Sequence, residues 1–264
     1  MKKKLCCFCI TLLIIIQISA QTDHSHDVYD LDLKNDLILM GGGIALTVLG
    51  DVMLRKADKP NLEEIANLNA SDLWSIDRNA TTNFSKTAER TSDIILYTSA
   101  ALPFTLYALD KTKGEELEVL MMTLETFLIT NGTTNIVKAL TQRYRPFNYN
   151  PDVPDEMKLG STSRQSFFSG HASNTAAFCF LTAQNLTDMH PHWRARKYIT
   201  WGVAAALPLA ISYGRYKAGK HFPTDVITGY LFGAGVGLLI PRIHRSKSHK
   251  ITVGPGHMSF NLTF

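Results

Sequence analysis

The chain has 264 residues, 45% of them apolar and 19% charged, which is enough to close a sizeable core and too apolar for a disordered segment. Its formal charge of +4 falls to about +1 without Lys2, Lys3 and Lys4, so the broad basic surface that nucleic-acid binding needs is missing. Beyond residue 20, Cys179 is the only cysteine, which excludes an internal disulfide and a cysteine-built zinc site there.

Residues 1–20, MKKKLCCFCITLLIIIQISA, place three lysines before an apolar run and end on small residues, the layout of a secretory signal. The apolar part, Leu5 to Ile18, is short for a span of about 20 residues, and Cys6, Cys7 and Cys9 lie within this segment. Residues 21–36 are polar and acidic and predict a tether on which His24 and His26 are solvated. Six apolar stretches of helical length follow, at about 37–54, 92–109, 117–140, 171–187, 197–213 and 224–241. They predict an all-α fold, a helical bundle of about six core helices.

Between the first two, Leu62, Ile65, Ala66 and Leu68 recur at helical spacing and predict a short surface helix. Residues 146–168 form the longest proline-bearing loop, and the closing ITVGPGHMSFNLTF alternates around Gly-Pro-Gly, as a hairpin or a loose tail does. Asp51, Glu125 and Asn131 interrupt the apolar stretches and the mean hydropathy is −0.02, so a membrane bundle and a soluble helical domain both fit the pattern. If 92–109 enters a bilayer from outside, the links 110–113 and 194–197 and the tail from Arg242 fall on the cytoplasmic side, as the positive-inside tendency prefers. Five spans satisfy that rule after a cleaved signal; a sixth at 37–54 inverts it unless the N-terminus stays inside.

Three clusters carry chemistry. In Lys138-Ala-Leu-Thr-Gln-Arg-Tyr-Arg-Pro146, Lys138 and Arg145 are two helical turns apart on one face, at a helix end that Pro146 terminates. Such a pair suits an anion with several oxygens, although cations also collect at helix C-termini to complement the dipole. In Ser169-Gly170-His171 a helix begins behind a glycine that lets a ligand approach free backbone amides, with a hydroxyl and a group titrating near neutrality alongside. A plain Ser N-cap fits the same residues. In Gly214-Arg-Tyr-Lys-Ala-Gly-Lys-His-Phe-Pro-Thr-Asp225, His221 and Asp225 are four apart, so the carboxylate can take a hydrogen bond from one imidazole nitrogen and leave the other nucleophilic. A helix-capping Asp is the bland alternative. Arg143, Lys217 and Lys220 read as solvated rim charges, and His190 and His192 as inert.

Together the clusters resemble the type 2 phosphatidic acid phosphatase superfamily, which includes bacterial acid phosphatases and vanadium haloperoxidases, with its pattern K-x6-R-P, P-S-G-H and S-R-x5-H-x3-D. Here Phe168 stands where proline is usual and Gly214 where serine is. The resemblance covers about 92–241 and implies a membrane-embedded bundle with the active site at helix ends. It further implies that His221 attacks phosphorus, Asp225 orients it and His171 protonates the leaving group, while Lys138, Arg145, Ser169, Gly170 and Arg215 hold the phosphoryl oxygens. No metal or other cofactor and no obligate protein partner is implied.

The expectation is therefore a lipid phosphatase at the outer face of a bacterial inner membrane. Its substrate would be a phosphatidic acid-like lipid, phosphatidylglycerol phosphate, undecaprenyl diphosphate or a lipid A phosphate. The rivals are a soluble periplasmic acid phosphatase, vanadate-dependent halide oxidation and a non-enzymatic binder of phospholipid head groups. The expected layout is signal 1–20, tether and flanking helices 21–91, catalytic domain 92–243 and tail 244–264.

Overall fold

The computed structural model describes residues 28–109, 112–246, 249–254 and 257–262; the expected signal and the His24/His26 segment lie outside them. Six long helices form the body: α1 Leu33–Lys56, α2 Lys86–Ala101, α3 Glu116–Thr141, α4 Gly170–Met189, α5 Ala195–Lys217 and α6 Pro223–Ile243. Each grows from one of the six apolar stretches, so the all-α reading holds for the bundle. The largest departure is α2, which starts six residues before the apolar run. Its first turn is polar and is held by Ser85, whose hydroxyl accepts from the Ala88 amide at 3.2 Å. It also ends early, because the chain passes into a 3₁₀ turn over Leu102–Ala108 that contains Pro103.

The expected surface helix shrinks to Leu62–Ala66, followed by a second short turn at Ser75–Arg78. The C-terminal segment is a hairpin, β1 His249–Gly254 and β2 His257–Leu262, antiparallel with Ile251 opposite Phe260. At the base of the bundle an N-terminal strap pairs Tyr29 with Arg245, and the Asp30 amide donates to the His244 carbonyl at 2.8 Å. Tyr29 packs there with Leu106, Val119, Met122, Leu181 and Ile240.

Two helix pairs are built on glycine. On α6, Gly229, Gly233 and Gly237 recur every fourth residue and lie against the Ser169, Ser173 and Ala177 carbonyls of the α4 segment. A Cβ on Gly229 would stand 2.6 Å from the Ser169 oxygen, and one on Gly233 or Gly237 would be closer still to its carbonyl. On the other side of the bundle, Gly43 and Gly50 of α1 meet α3, where a Cβ on Gly132 would lie 2.6 Å from the Thr47 amide nitrogen. Backbones that approach this closely leave no room for any side chain.

Much of the outer surface is apolar. Leu37, Ile38, Val48 and Leu49 of α1, Ile199, Val203 and Leu209 of α5, and Leu231 and Leu239 of α6 are all exposed. Among the described residues α1 and α6 are long and apolar enough to cross a membrane.

The glycine contact yields a contrast within one helix. Gly233→Ala must push α6 off α4 and is expected to destabilise by about 1–3 kcal/mol. Gly235→Ala meets no atom of the described residues within 4 Å and should be neutral or stabilise by up to about 1 kcal/mol. Melting temperatures of the two variants in detergent test this.

Candidate active site

The three clusters meet at one end of the bundle. Lys138 lies in the last turn of α3, and Gln142, at φ 42°, ends that helix in the left-handed conformation. Arg145 follows in extended backbone, its amide donating to the Ser163 carbonyl at 2.9 Å, and its side chain is buried. Ser169 caps α4, with its hydroxyl accepting from the Ala172 amide at 3.3 Å. Gly170 faces the Lys138 ammonium, which a Cβ would approach to 3.3 Å. The Ser169 amide donates to the Asp225 carbonyl at 3.0 Å, tying this turn to the start of α6.

Arg215 sits in the last turn of α5, buried. Gly219 takes φ +69°, which a side chain would resist, and so turns the chain from α5 into His221. The Gly219 carbonyl accepts from the Phe147 amide at 3.0 Å, joining this turn to the Arg145 loop.

His221 is 1% exposed, and its Nδ1 lies 2.8 Å from the Ser166 carbonyl oxygen. A carbonyl can only accept, so Nδ1 carries the proton and Nε2 keeps its lone pair. This corrects the expected direct bond to Asp225, whose Oδ2 stands 3.6 Å from Nδ1. Asp225 acts at one remove. Its carboxylate accepts the Ser166 hydroxyl, the Phe222 amide at 2.8 Å and Arg143 Nη1 at 2.6 Å. It thereby holds the residue whose carbonyl orients the imidazole.

Burial first, then the charges of Arg145, Arg215 and Lys138, drive the His221 pKa well below its ordinary 6.5. Burial and the neighbouring Arg215 likewise work against the charge on Arg145. Arg145 Nε and Arg215 Nε are buried donors without an acceptor among the described residues. Three cations that repel one another, with donors to spare, make a cradle that suits an anion.

His171 opens α4, and its Nε2 lies 2.8 Å from Asp93 Oδ1. The same oxygen accepts from Arg215 Nη1 at 3.1 Å, so one carboxylate of α2 links the second and third clusters. All eight expected residues therefore come to one place. Four further groups do too: Ser166, Asp93, Arg143 and Asp77. The reading of Arg143 as a solvated charge is wrong, because its guanidinium pairs with Asp225 and, at 2.8 Å, with Asp77, and lies 4.1 Å from the Phe222 ring centroid. Lys220 is also buried and pairs with Glu89 at 2.8 Å, whereas Lys217 is exposed as expected. A lone acid in the apolar run after residue 91 was a readable signal for Asp93. Asp77 gave none, since its partners lie 66 and 147 residues away.

Comparison with known proteins gives this geometry its context. The family model described as the PAP2 superfamily matches residues 119–248, a segment that contains all eight expected residues. The chain belongs to the PAP2 superfamily. It is 27% identical over 149 residues to a lipid A 4'-phosphatase of Porphyromonas gingivalis, covering 55% of this chain and 59% of that protein. It is 37% identical over 98 residues to a decaprenylphosphoryl-5-phosphoribose phosphatase of Mycolicibacterium smegmatis, covering 36% and 43%. The chain thus spans about half the length of the curated relatives it matches. Among solved structures, a transmembrane PAP2-type phosphatidylglycerolphosphate phosphatase from Bacillus subtilis aligns over 76% of this chain and 94% of its own, with 20% identity and a TM-score of 0.47.

Both departures from the PAP2 pattern have local partners. Phe168, in the place of proline, is buried against Phe232 with ring centroids 5.1 Å apart. Gly214 lets α2 close on α5, since a Cβ there would lie 3.2 Å from that of Ser92. The Ser92 hydroxyl oxygen in turn accepts from Arg215 Nη1 at 3.3 Å.

Two measurements probe this PAP2 site without substrate. Arg143→Ala leaves Asp77 and Asp225 as buried, unpaired carboxylates and should cost about 3 kcal/mol or more in stability, with Asp77→Asn recovering part of the loss. His221 stays neutral in the folded protein while the unfolded chain takes up a proton below pH about 6.5, so stability falls with falling pH. Between about pH 7 and pH 5 the Tm of the wild type should therefore drop more than that of His221→Gln.

Proposed function

We propose that this chain is a lipid-phosphate phosphatase that works through a phosphohistidine at His221. The observation that carries the reading is the His221–Ser166 hydrogen bond, which leaves Nε2 unprotonated in a pocket with Lys138, Arg145 and Arg215. Nε2 would attack phosphorus, the P–O bond to the leaving group would break, and His171 would protonate the departing alkoxide. Water, deprotonated by His171, would then cleave the N–P bond and release inorganic phosphate. The three cations and the Ser169–Gly170 turn would hold the oxygens on which charge accumulates, which is most of what phosphoryl transfer asks of a protein. Asp93 would stabilise the imidazolium form of His171.

A lipid is favoured over a soluble ester by what surrounds the pocket. A groove lined by Leu73, Trp74, Phe167 and Ile227 runs beside Arg143 and Thr224, and the helices around it expose apolar side chains. Lys113, Arg194, Arg196, Lys197, Arg242 and Arg245 cluster at the helix ends opposite the site, which supports a bundle with that end in the cytoplasm and the site on the outer face. Six crossings in this orientation start α1 inside, a start that cleavage after residue 20 would not provide. A cysteine placed at His192 should accordingly be labelled by an impermeant reagent only after the cells are permeabilised.

The decisive experiment measures phosphate release from a panel of lipid phosphates and from an aryl phosphate, with purified protein in detergent containing chelator. Release preferring lipids, reduced about 10³-fold or more in His221→Ala, is the expected result, together with an acid-labile, base-stable phosphoprotein on rapid quenching. His171→Ala should lose about 10²–10⁴-fold in turnover of lipid phosphates, whereas with the aryl ester, whose leaving group needs no proton, the first burst of phenol should persist and only the later turnover slow. Undiminished turnover in His221→Ala would refute the mechanism, and release from the aryl ester alone would point to the soluble-substrate rival.

A further inference from the structure

Towards the opposite end of the bundle, three buried ionisable side chains from three helices converge. Asp36 comes from the first turn of α1, Glu125 from the third turn of α3, and His244 closes α6. Glu125 and Lys138 are 13 residues apart on α3, which puts this cluster about 20 Å from the phosphate site.

Glu125 is fully buried, and among the described residues neither of its carboxylate oxygens finds a hydrogen-bond donor. An ionised carboxylate without a donor is among the costliest groups to bury, so this one calls for a cation. His244 is built to help supply one. Its Nδ1 lies 3.0 Å from the Ile240 carbonyl, which can only accept, so Nδ1 holds the ring proton and a neutral imidazole turns the Nε2 lone pair inward. That nitrogen faces Asp36 Oδ1 at 2.9 Å and Glu125 Oε2 at 3.3 Å. A single proton on Nε2 would satisfy Asp36 and leave Glu125 without a bond. Two carboxylates and an imidazole lone pair converging on one point can be satisfied together, and their charge cancelled, by one divalent ion.

The spacing agrees. The three ligand atoms lie within 4.8 Å of one another. Edges of 2.9 and 3.3 Å are those expected between donors bound at about 2.0–2.1 Å to one ion, in octahedral or tetrahedral arrangement.

We propose that Asp36, Glu125 and His244 bind a divalent transition-metal ion of the zinc or manganese type, which clamps α1, α3 and α6 together. One imidazole and two carboxylates without a thiolate disfavour soft ions such as copper(I), and three protein ligands are few for calcium. The role is structural. The ion fixes the end of α6 onto which the N-terminal strap hydrogen-bonds through the His244 carbonyl.

The test uses purified full-length protein in detergent, stripped with chelator, dialysed, and titrated separately with Zn²⁺ and with Mn²⁺. Bound metal is read by elemental analysis and stability by thermal melting. About one ion of at least one metal per chain is expected, with a rise in Tm of a few degrees. Glu125→Gln, which keeps the shape and removes the charge, and His244→Gln should each weaken binding about tenfold or more and abolish the gain in Tm, while His221→Ala keeps both. Stripped wild type that stays folded yet gains neither metal nor stability would overturn the proposal, and this arm needs no variant to fold. Binding that survives Glu125→Gln and His244→Gln combined would overturn it too, placing the ion on other histidines. Both readouts are independent of turnover, so the result stands apart from the phosphatase reading.

Discussion

The site depends on how closely α6 approaches α4. Gly229, Gly233 and Gly237 bring one backbone onto the other with no side chain between, and the uppermost of these contacts, Gly229 on the Ser169 carbonyl, lies in the Ser169–Gly170 turn itself. The Ser169 amide bond to the Asp225 carbonyl follows from that approach. So does the reach of the Asp225 carboxylate to the Ser166 hydroxyl. A side chain at any of the three glycines would separate the helix that carries Asp225 from the one that carries Ser169, Gly170 and His171. Small residues are also how helices associate where lipid removes the hydrophobic incentive to pack.

On that frame, charge is arranged in two tiers. Lys138, Arg145 and Arg215 form the inner one, and their mutual repulsion is a cost that the proposed phosphoryl group would relieve. The outer tier is acidic and bonded: Asp77 and Asp225 share Arg143, Asp93 joins His171 to Arg215, and Glu89 holds Lys220. Every acid of this tier has a cation or a backbone amide to engage, so none competes for the inner cations without also fixing a neighbour. Preorganisation of this kind lets a neutral imidazole and three cations coexist without collapsing onto one another.

The sequence made the inner tier legible because its residues stand at helix ends with fixed spacings: Lys138 to Arg145, Ser169 to His171, and Arg215 through His221 to Asp225. The six helices were legible from their apolar runs, and the terminal hairpin from its alternation about Gly-Pro-Gly. The outer tier was not. Asp93 stands out as a lone acid in an apolar run, but neither it nor Asp77 has a spacing that links it to the motifs, and Arg143, two residues before Arg145, looks like any basic residue after a helix. Ser166 was in plain view, three residues before Ser169, but what it contributes to His221 is a backbone carbonyl, which residue identity does not encode. The glycine stripe on α6 was visible as Gly-x3-Gly-x3-Gly, yet only the facing carbonyls reveal which helix it meets.

The two ends of the bundle solve opposite electrostatic problems with the same helices. At the α3 C-terminus and the α6 N-terminus, cations outnumber their partners and an anion restores balance. About 20 Å away along α3, carboxylates outnumber donors and a cation restores it. Because α3 and α6 run through both places and pack too closely to separate independently, loosening their far end at Glu125 and His244 would lower the stability of the bundle that holds the Gly229–Ser169 contact. An ion at the far end would therefore act on the phosphate site through the stability of the bundle, not through the chemistry of phosphoryl transfer. On this view, chelator lowers the temperature to which the protein stays folded and leaves turnover below that temperature unchanged.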